Sequence, residues 1–153
     1  AKARVAPMFR LSYGTPIGVG ARLVWIGPTF GPSLEGSLGN AMLTEEIGVA
    51  EIFYAPPVPR PLELSLSLGT GFYHVAANGD LKDEALSLSS GTTSFLGDLG
   101  VDAGVRIVDH FAIDVGVYTG LAAPRVVVDM GEQHLAALGR PLLGANLGLR
   151  ASF

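Results

Sequence analysis

From Phe111 to Leu121 the chain alternates without a break. Phe111, Ile113, Val115, Val117, Thr119 and Leu121 fall on one side of an extended backbone, and Ala112, Asp114, Gly116, Tyr118 and Gly120 on the other. A strand points successive side chains to opposite faces, so this period of two predicts a strand with one apolar face and one face of small and polar groups. The same pattern recurs along the chain. Leu143, Ala145, Leu147, Leu149, Ala151 and Phe153 oppose Gly144, Asn146, Gly148, Arg150 and Ser152. Phe95, Leu99, Val101, Ala103, Val105 and Ile107 oppose Asp98, Gly100, Asp102, Gly104 and Arg106. Eight such segments are predicted: Arg4–Tyr13, Ile17–Ile26, Phe30–Leu38, Ile47–Tyr54, Leu62–Tyr73, Ser94–Val108, Phe111–Leu121 and Leu142–Phe153. In the fourth, Glu51 shares a face with Ile47, Val49 and Phe53, so its inner side stays unassigned. Helical periodicity shows only briefly, around Glu132–Leu138.

The joints between segments set the topology. Asp109-His110 leaves room only for a tight antiparallel hairpin turn. Gly14-Thr15-Pro16, Gly27-Pro28-Thr29 and Ala55–Pro61 are also short, whereas Gly39–Glu46, His74–Thr93 and Ala122–Pro141 are long. In an up-and-down meander the long connections then mostly share one end, with Gly14-Thr15-Pro16 as the exception. Within the longest connection, Asn78-Gly79 is a type I′ turn signal, and the alternation of Ala85–Ser89 predicts a hairpin rising beyond the body.

Composition changes the meaning of the apolar face. Hydrophobic residues make up 48% of the 153 and charged residues 16%, against roughly 25% in soluble domains. No apolar run nears the roughly 20 residues of a transmembrane helix, so the hydrophobic residues are spread over every second position. There is no cysteine, and hence no disulfide or thiolate metal site; the net charge of −4 gives no footprint for nucleic acid. The length fits a single domain over 1–153, and Ala1-Lys2-Ala3-Arg4 without an apolar stretch is expected to lie at or near a mature N-terminus.

The opposite face carries Gly, Ser and a balanced set of charges: Arg4, Arg10, Arg22, Arg106 and Arg150 against Glu35, Glu63, Asp98, Asp102 and Asp114. Five of each sign suit the inside of a narrow barrel, where arginine forks satisfy carboxylates away from bulk water. The apolar face is then expected to meet lipid. Membranes accept β-structure only as a closed barrel with every backbone group paired. A tilted strand crosses in about 9–11 residues, and eight strands give an interior just filled by side chains. Tyr13, Trp25, Phe30, Phe53, Tyr54, Phe72, Phe95, Phe111 and Phe153 lie near segment ends, the placement of interfacial girdles. The expected fold class is all-β, an eight-stranded antiparallel up-and-down transmembrane β-barrel.

At this level the chain resembles the small eight-stranded bacterial outer-membrane barrels of the OmpA/OmpX type. The most specific element is the last strand, where Asn146, Gly148, Ala151 and Phe153 occupy the slots read as an assembly signal in that family. The resemblance implies residence in the bacterial outer membrane, with both termini in the periplasm and long loops outside. It also implies contact with outer-membrane lipid, lipopolysaccharide and the assembly machinery, and through the loops with other envelope proteins.

Candidate chemistry is sparse, and no cofactor, metal or catalytic residue is expected. His74, His110 and His134 have no partners at metal-ligand spacing. Lipid-modifying barrels with a His/Ser pair at the rim offer one alternative, through His74, Asp80 and Ser87. The acidic group Asp80, Asp83 and Glu84, with Lys82, reads as a solvated loop tip or as a divalent-cation site. The expected function is non-catalytic: a membrane anchor, a surface or adhesion-type protein, or an accessory subunit of an envelope assembly, its lumen plugged by Arg–carboxylate pairs. The alternatives are a narrow pore for ions or small solutes, a rim enzyme, and a soluble ligand-binding barrel.

Overall fold

The computed structural model describes residues 5–30, 34–36, 39–81, 87–124, 126–130, 133–138 and 141–151. Its elements are all strands: β1 (Met8–Gly14), β2 (Val19–Phe30), β3 (Leu34–Gly36), β4 (Gly39–Tyr54), β5 (Leu62–Leu81), β6 (Ser87–Val108), β7 (Phe111–Ala123), β8 (Val126–Met130), β9 (Gln133–Leu138) and β10 (Leu142–Ala151). The main sheet is an antiparallel up-and-down path, β1-β2-β4-β5-β6-β7-β10, with β3 beside β4; β8 and β9 form a hairpin of their own. The path of seven strands curls into a half-barrel. Among the described residues β1 and β10 do not pair, so the cylinder has an open seam.

The difference from eight predicted segments has a local cause. Gly27-Pro28-Thr29 reads as a turn, but it is a bulge within β2, where the register with β4 shifts between Ile26 and Thr29. Gly27 takes φ +122°, a conformation glycine adopts without a Cβ penalty. A proline is tolerated in a strand at a bulge, where no ladder donor is lost. The strand therefore continues, and Phe30 pairs with Thr44 as the end of β2. Leu34–Gly36 pairs with Ala41–Gly39 as β3. The second and third predicted segments thus lie end to end along one partner, β4.

This correction removes the exception among the connections. Turns at 15–18, 55–61 and 109–110 share one end. The reversal after β3, the connection at 82–86 and the segment 124–141 share the other. Long hairpins rise at that second end, with Gly39 opposite Leu81 and Asp80 opposite Ser87. Because seven antiparallel strands are an odd number, β1 and β10 run in the same direction.

The alternation read from the sequence is realised in burial. Even-numbered residues of β6 and β7 from Ser94 to Gly104 and from Ala112 to Ala122 face inward, and the odd-numbered ones, apart from the half-buried Gly97, are exposed. Inside, the two ends differ. Val24, Ile26, Leu43, Val49, Tyr73, Val75, Leu96 and Ala122 form an apolar core toward the long-connection end. Most of the inward charges lie toward the short-turn end, while Glu45 is buried at the level of the apolar core, opposite Val75.

Candidate functional site: the inner wall and its charge network

Each inward charge is set by the strand period and placed by register. Ser12, Arg22, Glu51, Gly69 and Asp98 lie in one cross-strand row from β1 to β6. This settles the fourth predicted segment: Glu51 faces inward with Val49, and Ile52 and Tyr54 face out. Gly69 makes the row possible, because a Cβ there would stand 2.6 Å from Glu51 Cγ and 2.7 Å from Val49 Cγ1.

Arg22 is the hub. Its Nη1 donates to Asp102 Oδ2 at 2.7 Å and its Nη2 to Ser65 Oγ at 3.2 Å. Its Nε lies 3.5 Å from Glu51 Oε2, an ionic contact without hydrogen-bond geometry. The guanidinium sits 4.9 Å from the centroid of the Phe53 ring. Arg22, Glu51 and Asp102 are all buried. Arg10 Nη2 donates to the other oxygen of Asp102 at 3.0 Å, so one carboxylate holds two arginines from neighbouring strands.

A second cluster lies nearer the short-turn rim. Arg106 Nε donates to Glu63 Oε1 at 2.8 Å. Arg150 pairs with Glu63 Oε2, and lies 3.3 Å from Asp114 Oδ1. The side chains of Arg106 and Arg150 are 36% and 44% exposed. They line a cavity of 580 Å³ that the Pro56-Pro57 loop borders. Between this charged half and the apolar core there is a pocket of only 20 Å³, touching Glu51, Asp98 and Tyr118. That is room for about one water.

Of the charges expected inside, Arg10, Arg22, Glu63, Asp102, Arg106, Asp114 and Arg150 are brought into these two clusters, and Asp98 is buried beside Glu51 in the row described. Arg4 and the side chain of Glu35 lie outside the described residues; the backbone of Glu35 is in β3. Sequence reasoning missed Glu45 and Glu51, both inward and buried, although their odd positions on β4 share the parity of Leu43 and Val49. It also placed Phe53 in a girdle, whereas this ring turns inward over Arg22.

Asn146, Gly148 and Ala151 lie on β10, the first two on the inward side of the alternation; Phe153 lies outside the described residues. On the outer surface, Phe9, Trp25, Gly48, Phe72 and Phe95 lie in one cross-strand row. Trp25 and Phe72 meet edge to face over Gly48, with centroids 5.6 Å apart.

The rim alternative does not converge. His74 Nδ1 contacts Thr93 Oγ1 at 2.8 Å, and register sets Asp80 opposite Ser87. Six residues of ladder, about 20 Å, separate the two pairs. Asp83 and Glu84 lie outside the described residues, and among the described residues no group of three or more His, Asp or Glu could hold a metal ion. No protein-family model matches the chain, and no curated protein or solved structure is detectably similar to it.

Proposed function

We propose that this chain is an integral outer-membrane β-barrel protein of the eight-stranded type: non-catalytic, plugged, and serving as a membrane anchor, surface protein or accessory subunit of an envelope assembly. One observation carries the reading, an inverted polarity. Leu23, Ile52, Leu68, Leu99, Val101, Val105, Val115, Val117 and Leu121 are exposed, while Arg22, Glu51, Asp98, Asp102 and Asp114 are buried. Soluble monomers rarely expose apolar patches beyond a few hundred Å², and here the apolar surface continues over all seven strands of the path β1-β2-β4-β5-β6-β7-β10. In a bilayer the same surface is solvated, and the charges meet one another. From Phe111 to Leu121 the ten steps of strand run about 33 Å, which at a tilt near 45° spans roughly the 25 Å apolar band of such barrels.

The plug reading rests on the division of the lumen. The 580 Å³ cavity at the short-turn end meets a core in which Tyr73, Leu96, Leu43 and Ala122 are at most 2% exposed. Ions have no wetted path through such a layer. In bacteria the chain belongs, on this reading, in the outer membrane, in contact with lipid, lipopolysaccharide and the assembly machinery.

The test has two arms. The protein should fold only with detergent or lipid, and its gel migration should change on heating. Planar bilayers containing it should stay near-silent. A monodisperse fold in plain buffer would overturn the membrane reading, and steady, well-resolved channels would replace the plug with a pore.

A further inference from the structure

The cavity at the short-turn end has a preformed wall. Its volume of 580 Å³ falls in the range of small-molecule sites, roughly 300–1,000 Å³. Toward the interior it narrows: Arg10 and Asp102 line both this cavity and the 20 Å³ pocket that adjoins the apolar core. At its mouth stands the loop 55–61, which is tied to its neighbours on both sides. Ala55 N donates to Gly18 O at 2.7 Å, in the turn between β1 and β2, and Arg106 N on β6 donates to Pro61 O at 2.8 Å. Leu62 N donates to Pro59 O at 3.1 Å and tightens the loop on itself.

The cavity is rich in donors and short of acceptors. Arg10, Arg22, Arg60, Arg106 and Arg150 line it, against Glu63, Asp102 and Asp114. Glu51 and Asp98 lie deeper, at the 20 Å³ pocket. The three carboxylates of the cavity are already engaged. Asp102 gives one oxygen to Arg10 and the other to Arg22 and Ser65. Glu63 gives one oxygen to Arg106 and the other to Arg150, and Asp114 meets Arg150. A guanidinium carries five N–H donors and no acceptor, so most of the donors of these five arginines are unspent. The buried Nε of Arg10 has no hydrogen-bond partner, and among the described residues Arg60 makes no ion pair. Beside the donors lies an apolar patch of Phe53, Pro16, Pro56, Pro57 and Val58.

We infer that this cavity is a binding site for a small organic anion. Its oxyanion head, a phosphate or carboxylate, is taken by Arg60, Arg106 and Arg150, and its compact apolar body rests against Phe53 and the prolines. Guanidinium forks match such oxyanions bidentately, and the charge-assisted hydrogen bonds are among the stronger ones. The apolar patch then discriminates between a bare anion and one with a body. On the plugged reading the ligand enters from the short-turn end. The site itself goes beyond the anchor reading and needs the walls of the cavity, not the bilayer.

The probe is phenyl phosphate, titrated by calorimetry into the full 153-residue chain refolded in uncharged maltoside micelles. One molecule should bind per chain. Inorganic phosphate and phenol, each carrying half of the chemistry, should bind about ten-fold more weakly. Arg60→Gln, on the exposed loop, and Arg150→Gln, at the rim, should each weaken phenyl phosphate about ten-fold. Asp109→Asn, in a turn at the same end but outside the cavity, should leave binding unchanged. No saturable binding, equal binding of inorganic phosphate, or undiminished binding in both arginine variants would overturn the inference. Displacement of the probe by phosphatidylglycerol added to the micelles would overturn the free ligand in favour of a lipid headgroup. Steady channels that phenyl phosphate blocks would keep the site and remove the plug. A chain that folds in plain buffer and binds the probe there would keep the site and remove only the membrane reading.

Discussion

Arg22→Ala isolates the energetics of the inner wall. The arginine side chain is 4% exposed and serves Asp102, Glu51 and Ser65 at once. Its loss falls unevenly on its partners. Asp102 keeps Arg10 at 3.0 Å, whereas Glu51 is left in a row whose next side chain is the carboxylate of Asp98. Breaking a buried pair by removing one partner costs about 3–5 kcal/mol, because the remaining charge is orphaned. The lost contact with Phe53 adds to this, within the usual 0.5–2 kcal/mol of a roughly desolvated cation–π pair. Arg150→Ala is the internal control. That side chain is 44% exposed at the rim of the cavity, where water screens the pair, so its loss should cost about 0–1 kcal/mol. Each variant removes one arginine that serves two carboxylates; Arg22 is the buried one and adds the contacts with Ser65 and Phe53. The assay is denaturant unfolding of the refolded protein in lipid vesicles, followed by the fluorescence of the single tryptophan, Trp25. Adding Glu51→Gln to Arg22→Ala should recover about 0.5–3 kcal/mol. Arg22→Ala within about 1 kcal/mol of wild type, or equal losses from the two arginines, would refute the account of the network.

Three further outcomes follow from the same structure. Val115→Arg, on the exposed outer face, should cost about 2–4 kcal/mol if the position lies near the bilayer midplane, read in vesicle refolding titrations against Gly148→Ser, which should stay within about 0.5 kcal/mol; equal damage from both would reverse the assignment of faces. Leu96→Ala removes a side chain 2% exposed in the apolar core; it should cost about 2–5 kcal/mol and turn silent bilayers into flickering ones, and an unchanged midpoint would show that this layer does not hold the lumen shut. Deleting Phe153 should reduce delivery to the outer membrane in cells while leaving refolding into detergent largely intact, and normal surface delivery would count against an assembly signal in the last strand.

For β1, β5, β6, β7 and β10 the sequence by itself determined an extended segment and the side on which its alternating residues fall. A period of two is a local property: once Phe111–Leu121 is extended, Asp114 and Val115 must point apart, whatever surrounds them. The antiparallel turn at Asp109-His110 was legible for the same reason, since two residues permit nothing else. Where the apolar and charged residues interleave, as around Glu51, local reading stopped. Only the neighbours Arg22 on β2 and Gly69 on β5, set by register, decide that this carboxylate points inward. Register also decided which arginine meets which carboxylate, because pairing depends on the stagger between strands far apart in sequence. The bulge at Gly27-Pro28 is the clearest divide. Glycine and proline together read as a turn, and a turn is what they form in isolation. Here β4 runs long enough to pair with residues on both sides of them, and the ladder on either side outweighs the local preference. That single bulge merges two predicted segments and leaves seven strands in the path, so that β1 and β10 run in the same direction.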